Sequence, residues 1–133
     1  KILNYTTLLQ LFYYNIKLYI IINTDIPMSN KNIKLITDKL NELISYLENN
    51  DLDNFFKYKE DLCSLIISEN SGDFNDNIKN DIENIIPANL MNTFINFIKY
   101  IRTLRTMKYD DRDYTKYTLD NMKFIKNEIF KNY

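Results

Sequence analysis

The sequence of 133 residues predicts an all-α fold, a single compact helical bundle of five to seven helices spanning residues 1–133. Three observations predict it. Apolar residues recur at steps of three and four along most of the chain, which is the spacing of one helical face. The alternation typical of half-buried strands is missing. Hydrophobic residues make up 45% and charged residues 26%, so the chain is apolar enough to fold around a core.

The first element is predicted within residues 9–23, LQLFYYNIKLYIIIN. A membrane span needs about 20 mostly apolar residues, and polar residues interrupt this stretch at Gln10, Asn15, Lys17 and Asn23. A strand would find no partner strand further along the chain. We therefore expect a helix and no membrane span.

This first helix has two apolar faces when its residues are placed 100° apart. One face carries Leu9, Phe12, Ile16 and Ile20. The nearly opposite face carries Leu11, Tyr14, Leu18 and Ile22. A helix with two apolar faces is either central and wrapped by its own domain, or its second face meets another chain. These four residues are therefore the candidate protein-binding residues.

The next two helices have regular apolar spacing. Residues 31–49 are predicted to form a helix with Ser29 or Asn30 as its N-cap. After the ENNDLD break, a helix capped by Asp51 or Asp53 is predicted to run to about Glu69. The apolar face of the first of these two helices is expected to consist of Ile33, Ile36, Leu40, Leu43, Ile44 and Leu47. That of the second is expected to consist of Phe55, Tyr58, Leu62, Leu65 and Ile66.

The second half of the chain begins at NSGDFND, where Gly72 indicates a turn that needs a positive φ. A short helix follows and ends before Pro87, and another is predicted from Asn89 to about Met107. KYDDRD separates it from a last helix capped by Asp111 or Asp113. The apolar face of the short helix is predicted as Phe74, Ile78, Ile82 and Ile85, and that of the last helix as Leu119, Met122, Ile125, Ile129 and Tyr133.

The residue types that are missing exclude most enzyme chemistry. The chain has no His, so Ser-His, Cys-His and HExxH sites cannot form. A single Gly excludes the glycine-rich phosphate-binding loops. DFNDNI resembles the start of a calcium loop that begins at Asp73. Ile78 and Asn84 occupy the loop positions at which Gly and Glu are needed. We predict that the protein is not an enzyme and has no catalytic, cofactor-binding or metal-binding residues.

Cys63 is the only cysteine, so no disulfide framework can form within the chain. We expect it to be a small core residue. A reducing compartment agrees with this usage, and the predicted localisation is cytoplasmic. The alternative is secretion after removal of a signal peptide, because a helical domain needs no disulfide.

Charge is unevenly distributed although the net charge is only −1. Residues 51–85 have three Lys and nine acids, whereas residues 86–133 have nine Lys or Arg and five acids. We expect these regions to complement each other in the fold, with the pairs Glu60-Asp61 and Asp110-Asp111 solvated or capping. The alternative is nucleic-acid binding by a helical stripe of Lys99, Arg102, Arg105 and Lys108 with Tyr100 and Tyr109 nearby. A pI of about 5.5 disfavours it.

The C-terminal segments FINFIKYIRTLRTMKY and NMKFIKNEIFKNY contain an apolar helix, a polar break and a final helix ending in Lys and Tyr. They resemble the closing helices of the poxvirus Bcl-2-like proteins, which are small, helical and rich in Ile, Asn, Asp and Tyr. The resemblance covers about a third of the chain. The Asn-Trp-Gly-Arg element of the apoptosis-regulating members cannot occur here, because the chain has no Trp.

The resemblance implies a viral protein of the host cytoplasm that binds innate-immune or apoptotic signalling factors through helical faces, often as a homodimer. We therefore predict a non-enzymatic protein-interaction module whose partner is another protein or a second copy of itself. The alternatives are a small helical subunit of a nucleoprotein assembly, and a structural or surface helical domain of an AT-rich parasite or bacterium.

Overall fold

The computed structural model describes the backbone of residues 27–130 and the side chains of residues 31–130. The elements within this range are five α-helices, a two-stranded hairpin and a final π-helical turn. In chain order they are α1 (Pro27–Glu48), α2 (Leu52–Ile66), α3 (Asp76–Ile85), α4 (Ala88–Thr103), β1 (Lys108–Tyr109), β2 (Arg112–Asp113), α5 (Thr115–Phe124) and the π turn (Ile125–Ile129). The predicted all-α bundle is confirmed.

Helix α1 is the longest of these helices, and it contacts α2, α3, α5 and the π turn. Its six predicted core residues are all 4% exposed or less. The predicted N-caps Ser29 and Asn30 are wrong, because the helix begins at Pro27, and proline suits a first helical position whose N–H has no partner. The helix ends where Asn50 takes a φ of 54°. Asp51 N–H donates to Tyr46 O and Asn50 N–H to Leu47 O, which together form a Schellman motif.

Helix α2 begins at the predicted Asp51 cap, whose Oδ1 accepts a hydrogen bond from Asn54 N–H at 3.3 Å. It ends at Ile66 instead of Glu69, because Ile67 leaves the helix to form an antiparallel bridge with Phe74. The predicted turn at Gly72 is confirmed, with a φ of 67°. The bridge also places Phe74 before α3 instead of within it.

Helices α3 and α4 meet at Pro87, as predicted, but α4 ends at Thr103, four residues before Met107. Leu104 is extended, and the KYDDRD segment folds into the β1–β2 hairpin. Asp110 and Asp111 form its two-residue turn and have φ values of 50° and 64°. They are therefore turn residues and do not cap α5. Asp113 does bond the start of α5, since its Oδ1 accepts from Thr115 N–H at 2.9 Å.

The core is one continuous cluster to which every helix contributes. Phe94 of α4 is buried in it, with its ring centroid 6.2 Å from that of Phe74 and 5.9 Å from that of Phe130. Cys63 is fully buried in this cluster, as predicted. None of the helices in residues 27–130 combines the length and the apolar character needed to cross a membrane.

Candidate functional site

The candidate binding residues from the sequence lie outside the described residues. Leu11, Tyr14, Leu18 and Ile22 all precede residue 27, so their role stays a prediction. The residues of the predicted basic stripe lie within the described range. The geometry around them indicates a different set of candidate functional residues.

The predicted basic stripe does not form one helical surface. Helix α4 ends at Thr103, which leaves Arg105 in the following extended segment and Lys108 in β1. Lys99 is exposed beside the Gly72 turn, where a Cβ built on Gly72 would lie 3.4 Å from Lys99 Cε. The prediction of four cations on one helix face is therefore wrong.

Arg102 faces the end of α2, and its side chain is only 19% exposed. Its Nη2 lies 3.2 Å from Glu60 Oε1 and donates to Ile67 O at 3.3 Å, while its Nη1 donates to Ser68 O at 3.5 Å. These partners include backbone carbonyls just after α2, which the helix itself cannot satisfy. Arg102 therefore joins α2 to α4, and both terminal nitrogens of its guanidinium are engaged within the fold.

Lys59 makes the reciprocal connection from α2 to the end of α4. Its Nζ donates to Ile101 O at 2.8 Å and to Arg102 O at 2.7 Å. A cation at the C-terminus of a helix also interacts favourably with the helix dipole. Burial lowers the pKa of Lys59, but the two carbonyl acceptors keep its nitrogen engaged. The side chain is therefore a structural cap and is not available as a nucleophile.

A groove beside these two connections is lined by aromatic side chains. Its volume is about 530 Å³. It lies between the end of α4, the β1–β2 hairpin and the start of α5. We call it the tyrosine groove, and it is lined by Tyr100, Thr103, Leu104, Arg105, Thr106, Tyr109 and Tyr114.

The walls of the tyrosine groove are held by hydrogen bonds between segments. Tyr114 N–H donates to Met107 O at 2.7 Å, which extends the hairpin ladder to the start of α5. Thr118 is fully buried, and its Oγ1 donates to Tyr114 O at 2.8 Å. With that proton used, Tyr100 OH donates to Thr118 Oγ1 at 3.0 Å. These hydrogen bonds preorganise the groove by holding its walls in place.

The aromatic surface continues beyond the groove to Tyr117. Its ring meets that of Tyr100 edge-on at 5.8 Å and that of Tyr114 at 6.4 Å, arrangements that aromatic pairs favour. Tyr117 is nevertheless 54% exposed and Tyr109 66% exposed. A set of four tyrosines therefore presents aromatic area to solvent on one side of the bundle.

A second concavity of about 530 Å³ adjoins the groove on the side of α2. Three of its lining residues, Thr103, Leu104 and Arg105, also line the tyrosine groove. We call it the basic pocket, because it has three cations and no carboxylate among its lining residues, which are Phe56, Lys59, Arg102, Thr103, Leu104 and Arg105.

Other candidate groups are engaged within the fold. Burial raises the pKa of the Cys63 thiol to about 12, so it is un-ionised at neutral pH and unreactive. Glu60 pairs with Arg102, and Asp61 Oδ2 lies 3.9 Å from Lys39 Nζ. Lys123 Nζ likewise lies 3.2 Å from Glu48 Oε2. The described residues contain no group of three or more Cys, Asp or Glu side chains arranged to hold a metal.

One groove tyrosine, the adjoining Tyr117 and one arginine were missed in the sequence. Tyr100 and Tyr109 were noted near the basic residues, but Tyr114, Tyr117 and Arg112 were not grouped with them. The available signal was density, since four of the chain's eleven tyrosines fall within residues 100–117. Periodicity could not reveal the group, because its members belong to a helix, a hairpin and a second helix.

Comparisons with known proteins do not assign the chain to a family. No protein-family model matches it, and neither the curated proteins nor the solved structures gave a match.

Proposed function

We propose that this protein is a non-enzymatic helical domain that binds another protein through the tyrosine groove. The observation that carries the proposal is the preorganised, solvent-open groove formed by Tyr100, Tyr109, Tyr114, Leu104 and Arg105. Tyrosine and arginine are enriched in protein interfaces and in the residues that dominate their binding energy. A rigid aromatic side chain offers a large contact area at a small cost in conformational entropy.

The proposed groove and the candidate residues Leu11, Tyr14, Leu18 and Ile22 are independent predictions. The first rests on a described surface, and the second on the opposed apolar faces of an N-terminal segment. A second copy of the chain remains the proposed alternative partner for that N-terminal segment. Light scattering of the purified chain measures whether it dimerises, and a monomer at all concentrations contradicts the homodimer.

The resemblance to the poxvirus Bcl-2-like proteins stays a prediction, and it would place the partner among innate-immune or apoptotic signalling factors of a host cytoplasm. An all-helical fold supports it only at the level of fold class, which many functions share. The proposal of a protein-binding groove does not depend on this resemblance.

The nucleoprotein alternative has less support. Of its four cations, Arg102 is engaged with Glu60 and the end of α2, and Arg105 and Lys108 lie beyond the end of the helix that carries Lys99. Affinity for a phosphate backbone rises with the number of phosphates neutralised, so the loss of a continuous stripe removes its main basis.

A photo-crosslinking experiment tests the proposed function. The photoreactive amino acid p-benzoylphenylalanine replaces Tyr109, whose side chain is 66% exposed at the groove, in the full chain expressed in its native cells. We expect a discrete protein adduct. The matched control places the same group at Leu35, an apolar residue of α1 that is 41% exposed.

The control position should give no corresponding adduct. Equal labelling at positions 109 and 35 indicates non-specific contact, and absence of an adduct at position 109 contradicts the proposed groove. An adduct to nucleic acid at position 109 favours the nucleoprotein alternative.

A further inference from the structure

We propose that the occupant of the tyrosine groove is a short acidic segment of the partner protein, with an apolar or aromatic side chain in the groove and carboxylates beside it on Arg105 and Arg112. This inference rests on the proposed function and specifies the chemistry of the partner. The charges that line the two concavities and the register of the hairpin support it.

The lining of the groove and of the adjoining basic pocket contains cations and no acid. Lys59 and Arg102 contribute positive charge there, but their hydrogen bonds go to the carbonyls that they cap. Arg105 differs from both, because it is exposed and makes no ion pair or side-chain hydrogen bond with the other described residues. Since it lines both concavities, its guanidinium is placed where a bound segment would cross from one to the other.

The hairpin register adds a second cation on the same side. Tyr109 of β1 lies directly opposite Arg112 of β2, and directly opposed residues of an antiparallel pair project from the same face. Arg112 therefore lies on the face of the hairpin whose Tyr109 lines the groove. Lys108 is opposite Asp113 and lies on the other face. The pair that flanks the groove is thus Arg105 and Arg112.

An arginine beside aromatic rings selects among ligands. A cationic ligand, which a cluster of tyrosine rings could otherwise hold, is repelled by Arg105. A carboxylate accepts two parallel hydrogen bonds from a guanidinium, and such charge-assisted bonds are stronger than neutral ones. The groove supplies the apolar contact and the arginines supply the charge, so an acidic segment with an apolar side chain satisfies both.

A polyphosphate ligand fits less well than an acidic peptide. Asp110 and Asp111 form the hairpin turn next to Tyr109 and Arg112, and both are exposed. They would repel a continuous nucleic-acid backbone that runs past the hairpin. A short peptide with carboxylates placed only at the arginines avoids them.

Selection from a displayed library of random-sequence peptides tests the inference, with the full chain immobilised as bait. We expect the enriched peptides to combine Asp or Glu with Leu, Phe, Tyr or Trp. The affinity of these peptides should fall about tenfold or more with Arg105→Glu, because a favourable charged hydrogen bond becomes a repulsion. Arg105→Lys should lose less, and Lys79→Glu, which makes the same charge change at an exposed residue of α3, should leave the affinity unchanged.

Three results overturn the inference, and the first two leave the proposed function standing. Enriched peptides that lack acids, but lose binding with Tyr109→Ala, leave the groove as a protein-binding site and reject the acidic partner. Failure to enrich any peptide, together with a protein adduct at position 109, has the same meaning. Oligouridylate that binds the chain and is released by Arg105→Glu rejects both proposals in favour of nucleic acid.

Discussion

Helix α1 and the connection between α4 and α5, residues 104–114, differ in how much apolar and aromatic surface they expose to solvent. The predicted apolar stripe of α1 is buried to 4% exposure or less, whereas Tyr109 of the connection is 66% exposed. The connection is nevertheless held in place, since its own Met107 is buried and the Met107 carbonyl accepts a hydrogen bond from Tyr114 N–H. The comparison indicates that α1 stabilises the fold, while the connection holds exposed aromatic area in a fixed shape.

The largest expected effect separates buried from exposed apolar residues within α1. Leu40 is 1% exposed, and Leu40→Ala should lower the free energy of unfolding by about 2–5 kcal/mol, through lost burial and the cavity left behind. Urea denaturation measures this change. Leu35→Ala, at a position that is 41% exposed, is the control and should change stability by less than about 0.5 kcal/mol. Equal losses at the two positions would contradict the burial described for α1.

The next largest effect on the free energy of unfolding distinguishes Lys59, which caps the end of α4, from Arg105, which follows that end. Lys59→Met keeps the aliphatic stem but removes the donors to Ile101 O and Arg102 O, and should cost about 1–3 kcal/mol. Arg105→Gln should change the free energy of unfolding by less than about 0.5 kcal/mol, because Arg105 is exposed. Thermal and urea unfolding at pH 7 measure both variants. A larger loss for Arg105→Gln would show that Arg105 is structural and would remove it from the candidate site.

A smaller effect, the pH dependence of stability, tests the burial of Cys63 in the core. The pKa of Cys63 is raised from 9.0 to about 12 by burial, so the folded state holds the proton while the unfolded state releases it. The stability contributed by the un-ionised thiol is therefore complete below pH 9 and is lost as the pH rises from about 9 to about 12.

Between pH 8 and pH 10 the wild type should lose about 1.4 kcal/mol more than Cys63→Ala. Urea titrations of both proteins at the two pH values give the difference, in which the lysines and tyrosines common to both cancel. Parallel losses in the two proteins would mean that the thiol reaches water in the folded state.

The smallest expected effect is a gain in the hairpin. Asp111 has a φ of 64°, a conformation that costs an L-residue energy and that glycine adopts freely. Asp111→Gly should raise the free energy of unfolding by about 0.5–1 kcal/mol, because type I′ turns favour glycine at the second central position. Asp120→Gly within α5 should lower it. If both substitutions lower stability, the strain assigned to the turn is absent.

The helices could be predicted from the sequence because their apolar spacing is a local pattern, and the buried faces of α1 and α2 follow it closely. Their ends depended on contacts that the pattern does not contain. Helix α2 ends early because Ile67 pairs with Phe74, and Lys59 caps the early end of α4 from 42 residues away. Strands of two residues are also too short to show alternation.

The candidate site was predicted only in part for the same reason. Arg105 was expected on α4, because that helix was predicted to continue to Met107, but it lies in the extended segment after Thr103. Tyr109 was noted only as a neighbour of the basic residues. The groove depends on the hydrogen bond between Tyr100 and Thr118, which are 18 residues apart. Arg112 joins it only through the hairpin register. Neither relation is visible in local spacing.

The two Lys59 hydrogen bonds couple the opening of the end of α4 to helix α2. For the end of α4 to open, the ammonium must release Ile101 O and Arg102 O, and α2 then loses a tether as well. We therefore expect the terminal amides of α4 and the middle of α2 to behave as one cooperative unit in hydrogen exchange. A ligand that binds the groove only while the end of α4 is folded should slow exchange throughout that unit. Its binding should therefore be detectable in α2, a helix that contributes no side chain to the tyrosine groove.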